Sequence, residues 1–102
     1  MRQLGCDESY RLGVRLERSF RYNFGDKDVS FHLRNSSGQP FEILGGMVLI
    51  YDNHPSNGKR RLIVHVQVLD WDNVEKIEEL IRSAYVEHLI VGKFTLANWE
   101  TE

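Results

Sequence analysis

Apolar residues recur at every second position over several stretches of this chain, and that period of two constrains the fold more than any other feature. Successive side chains of a β-strand point to opposite sides of the pleat, so the period belongs to strands with one buried and one open face. From Tyr10 to Phe24 every even position except Arg18 is apolar, which predicts a half-buried strand, or two strands joined by a bulge near Arg18. Val29, Phe31 and Leu33 predict a second strand. Residues 41–51 predict a third, and the unbroken run Met47 to Tyr51 suits a central position. Leu62, Val64, Val66 and Val68 predict a fourth. Turn-forming residues separate these runs: Gly25 to Asp28, Asn35 to Pro40, and Asp52 to Gly58.

The period then changes. Val74, Ile77, Leu80, Ile81, Ala84, Tyr85 and His88 fall on one face at 100° per residue, the mark of an amphipathic helix. Asp72 is the expected N-cap, with Glu75 at the spacing of a capping box. Residues 89–91 suit either a helix that runs to a stop at Gly92 or the start of a last strand. The reading adopted is a helix to residue 87 and a strand over residues 89–97.

These elements predict a single α+β domain over residues 1–102, with residues 1–8 loosely ordered. Its antiparallel sheet, in the order β-β-β-β-α-β, carries one helix on its apolar face. The alternative is a small, partly closed barrel plugged by the helix. Eleven aromatic residues supply enough core for a chain of 102 residues without disulfides. The single cysteine, Cys6, and the lack of an apolar leader or a bilayer-length apolar run point to a soluble, cytoplasmic protein with no membrane partner.

A net charge of −2 gives no global attraction to nucleic acid, which makes that partner unlikely. Charge is uneven, however: residues 1–61 hold ten Lys/Arg against seven Asp/Glu, and residues 62–102 hold three against eight. In the strand reading, Arg11, Arg15 and Arg21 line one open face and form a candidate interaction surface. Arg18 takes the apolar parity. With Tyr51, His65 and Trp71 it defines a possible ligand pocket between sheet and helix.

No catalytic signature is present, no cofactor is expected, and the four histidines lack metal-ligand spacing. Asp70 and Asp72 read as the end of a strand and the start of a helix, with Trp71 locking the corner. The expected function is therefore a non-catalytic protein-interaction module of immunity, adaptor or accessory type. An unidentified protein is its partner, and a homodimer through an open sheet edge is possible. The alternatives are a small-ligand module or minor enzyme using the pocket, and nucleic-acid binding through the basic N-terminal half.

Overall fold

The computed structural model describes residues 3–37, 45–53 and 59–99, and its elements run α-β-β-β-α-β. The first helix, α1 (Cys6–Phe24), stands where the period of two predicts a strand. Leu12, Leu16, Phe20 and Phe24 satisfy both patterns, because a spacing of four residues belongs to alternation and to a helical stripe alike. Leu12, Leu16 and Phe20 are buried, whereas Tyr10 and Tyr22, which only alternation would turn inward, are 75% and 91% exposed. Arg18, an exception in the strand, lies on the outer side of the helix and is exposed. Asp7 and Glu8 in the first turn and Arg21 in the last complement the helix dipole, and Glu17 pairs with Arg21 at 3.8 Å one turn on.

Strands β1 (Val29–Asn35), β2 (Gly46–Asp52) and β3 (Arg61–Val68) form an antiparallel meander. The ladder shifts between Ile50 and Tyr51, so that Ile63 is an extra residue on β3. The expected positions 41–44 of the third strand and the hairpin tip at 54–58 lie outside the described residues.

Helix α2 (Val74–Val91) runs four residues past its expected end and stops at Gly92, whose φ of 71° is the left-handed conformation that favours glycine. Its N-cap is Asn73, whose side chain accepts from the Lys76 N–H at 3.3 Å. Asp72 is not the cap; its N–H donates instead to the Asp70 carboxylate at 3.0 Å. The last strand, β4 (Thr95–Ala97), is correspondingly short. It pairs parallel to β3, because α2 carries the chain back to the end where β3 began. The sheet is therefore mixed, in the order β1-β2-β3-β4, and it is open rather than closed into a barrel. The α+β class stands; the helix count and the direction of the last strand differ from expectation.

One face of the sheet makes the core. Val48, Ile50, Val64, Val66 and Val68 are fully buried there, beneath α1 on the β1 side and α2 on the β3–β4 side. Phe20, Phe24 and Tyr85 join the two helices, with Phe20 and Phe24 rings each 4.7 Å from Tyr85, and Phe31 of β1 meets Phe20 edge-on at 5.5 Å. Trp71 closes one end. Its Nε1–H donates to the Gly45 carbonyl at 2.9 Å, and its ring lies so near Gly46 that a Cβ there would strike both the indole and the Arg34 carbonyl. The N-terminal approach to α1 is clamped by Asn35, which accepts from the Leu4 N–H at 2.7 Å and donates to the Leu4 carbonyl at 3.1 Å.

The helical register of α1 makes two substitutions diverge that a strand would treat alike. Leu16→Ala is expected to lower the unfolding free energy by about 3 kcal/mol and Tyr22→Ala by less than about 0.5, measured by urea denaturation. Equal losses would contradict the helix.

Candidate interaction surface

The sheet face opposite the helices is built by the alternate residues of the same strands. Ser30, His32 and Arg34 of β1 pair with Tyr51, Leu49 and Met47 of β2, which pair in turn with Leu62, His65 and Gln67 of β3; Leu96 of β4 lies beside His65. Met47, Leu49, Tyr51 and Leu62 are each half-buried, so an apolar strip runs through the middle of a face that no described helix covers. The run Met47 to Tyr51 is apolar on both sides for this reason: Val48 and Ile50 enter the core, and their neighbours enter the open face.

A cationic and aromatic cluster sits on one flank. The Arg60 guanidinium lies 5.2 Å from the centre of the Tyr51 ring and 3.1 Å from His32 Nε2, while His32 meets Tyr51 edge-on at 5.2 Å. A guanidinium only donates, so His32 Nε2 is the acceptor and the ring is neutral with its proton on Nδ1. Burial lowers the His32 pKa, and the charges of Arg60 and Arg34 lower it further. His65 is lowered by burial. Its Nε2 is a buried nitrogen without a hydrogen-bond partner, set between Leu49 and Leu96 and 6.4 Å from the Phe94 ring. Arg34, exposed at one end of β1, and Arg60 carry positive charge toward this side, while Asp28 lies at the other end of β1, where Asn53 Nδ2 donates to its carboxylate at 3.2 Å and to Ser30 Oγ at 2.8 Å.

The residues singled out from sequence are distributed differently. Arg11, Arg15 and Arg21 lie on α1 rather than on a strand. At 100° per residue Arg11, Arg15 and Arg18 share one stripe, with Arg21 about 80° from Arg11. Arg15 pairs with Glu78 of α2 at 3.6 Å, and Arg21 lies 3.8 Å from Glu17 and 3.7 Å from Asp26, so this helix surface is of mixed charge. Of the four residues assigned to a ligand pocket, only Tyr51 and His65 share a surface, and it is the open one. Arg18 points outward from α1 and Trp71 is buried at the end of the core. His32 and His65 flank Leu49 on opposite sides and do not meet.

Arg34, Arg60, Met47 and Leu49 were not singled out by sequence reasoning. The available signal was the apolar residues at the polar parity of β2, which mark an open face that is not simply solvated. Among the described residues no group of three His, Cys, Asp or Glu could hold a metal ion, and no helix is long and apolar enough to cross a membrane. No family model, curated protein or solved structure matches the chain.

The two depressed histidines make stability depend on pH. Above the ordinary value of 6.5 both are neutral in folded and unfolded chains alike, so their contribution is fully present. As pH falls below 6.5 the unfolded chain takes up protons that the folded chain refuses, and stability is lost down to the folded pKa values. The urea midpoint is expected to be level from pH 8 to about 7 and to fall toward about pH 5. His65→Leu should reduce that slope and raise stability at pH 7 by up to about 1 kcal/mol, since an orphaned buried nitrogen gives way to an apolar group. An unchanged slope would contradict this origin.

Proposed function

We propose that the protein works by binding another protein, through the helix-free face of its sheet, and that the partner presents an acidic, partly apolar surface. The observation that carries this reading is the composition of the face: a half-buried strip of Met47, Leu49, Tyr51 and Leu62, bordered by Arg34 and Arg60, with the Asp28 carboxylate already held by Asn53. Aromatic residues, methionine and arginine are the side chains that protein interfaces favour, and a rim whose arginines face no described carboxylate of their own favours a partner of opposite charge. Tyr51 is stiffened by its contacts with Arg60 and His32, so little side-chain freedom is lost when a partner covers it. The unpartnered His65 nitrogen fits the same reading, because a polar group costly to the free chain is retained where a partner can satisfy it. The arginines of α1 are weaker candidates, since Arg15 and Arg21 already face carboxylates of the chain itself.

A photo-crosslinking residue at Leu49 is expected to capture a discrete protein from extracts of the native source, whereas one at Tyr22 is not. Arg34→Glu and Arg60→Glu should each weaken the complex with the purified partner about tenfold, with rising salt doing the same to the wild type. Capture at Tyr22 alone, or affinity indifferent to both arginines, would place binding elsewhere.

A further inference from the structure

The β4 edge of the sheet carries a second surface, which adjoins the open face at Leu96. Beyond β4 the sheet has no further strand among the described residues, and a groove of about 620 Å³ runs between β4 and α2. Its helix wall is one stripe of α2, with Lys76 at one end, Leu80, Ser83 and Ala84 in the middle and Glu87 at the other end. From this geometry we infer that the protein forms a two-fold dimer, in which β4 pairs antiparallel with β4 of a second copy and the two α2 helices fill each other's grooves.

Three features of this edge select a second copy as the occupant. First, one axis serves both elements. Strand β4 returns along α2: the Lys93 carbonyl accepts from His88 Nδ1–H at 2.7 Å, and the Trp99 ring lies 6.0 Å from Lys76 Nζ. Leu96 is midway between Lys93 and Trp99, and the midpoint between His88 and Lys76 is residue 82. The centre of the stripe from Lys76 to Glu87 falls between residues 81 and 82, so an axis through Leu96 also passes the middle of the helix stripe.

Second, the spacing is that of packed helices. Helix α2 rests on both β3 and β4, which sets it over the seam between them, and the dimer axis would lie half a strand spacing outside β4. With strands ~4.8 Å apart, the two helix axes stand about 10 Å from each other, at the upper end of ordinary helix packing. The small side chains of Ser83 and Ala84 occupy the crossing.

Third, the charges are self-complementary. An antiparallel copy about this axis sets Lys76 opposite Glu87 of the second copy, twice, and sets Glu79 opposite Ala84, where it meets no carboxylate. The pairing also covers Leu96, half exposed on the unpaired edge of the sheet.

Sedimentation velocity of the full chain is expected to show twice the 12.0 kDa chain mass. Lys76→Glu and Glu87→Lys each put like charges across the axis and should raise the dimer dissociation constant at least about tenfold. Combining them in one chain restores opposite charges and should return it close to wild type, which general damage to the fold would not do. In a Cys6→Ser background, Leu96→Cys should oxidise to a covalent dimer, because antiparallel partners at a two-fold axis bring their Cβ atoms to about 5 Å, near disulfide reach. Arg34→Cys, on the far strand, should not. A wild-type monomer, or a dimer that crosslinks through position 34 and not through 96, overturns the proposal.

Discussion

A four-stranded sheet is too wide for one helix. At ~4.8 Å per strand the sheet spans roughly 19 Å, while a helix with its side chains covers ~10–12 Å. The buried face of β2 and β3 consists of Val48, Ile50, Val64, Val66 and Val68, each without exposed surface, and burying such residues stabilises the fold by about 1.5–3 kcal/mol apiece. Covering β3 and β4 with α2 leaves Phe31 and Leu33 of β1 bare, and among the described residues the N-terminal segment shields them. This requirement for a second cover makes residues 6–24 a helix and draws Leu12, Leu16 and Phe20 inward. The ring cluster of Phe20, Phe24 and Tyr85 is the joint at which the two covers meet.

With both helices on one side, no described helix covers the other side of the sheet. Apolar residues in β2 therefore have two destinations, and those that face away from the helices, Met47, Leu49 and Tyr51, give that side its apolar strip. The same arrangement explains the two depressed histidines. His32 and His65 stand on the open face close enough to apolar neighbours to be partly desolvated, and at His32 the charges of Arg60 and Arg34 oppose protonation further. The short β4 has a different consequence. Because α2 extends to Gly92, the strand that follows is only three residues long and ends the sheet, with the flank of α2 standing above it.

Much of this was legible in order along the chain. The strands β1, β2 and β3 follow alternation, and the inward stripe of α2, the breaks between elements and the corner made by Trp71 follow local rules of spacing and turn chemistry. The segment from Tyr10 to Phe24 misleads because a stripe at 12, 16, 20 and 24 is a subset of its even positions. Its length, well beyond an ordinary strand, and the acidic first turn at Asp7 and Glu8 were the signals for a helix. The candidate surface was less legible: Tyr51 and His65 belong to it, but Arg34 and Arg60 do not stand out in a list of thirteen basic residues. Their significance comes from the ladder, which sets Arg34 beside Met47, and from the reach of the Arg60 side chain across Tyr51 to His32.

By itself, the sequence determined the α+β class, the three strands with the chain reversals between them and the amphipathic helix that follows, because periodicity and turn residues act over a few neighbours. Tertiary structure alone decided that residues 6–24 are helical, that β4 lies parallel to β3, and which polar residues share a face. Each of those outcomes depends on what covers a sheet of a given width, a condition set by residues distant in the chain and invisible to any local pattern.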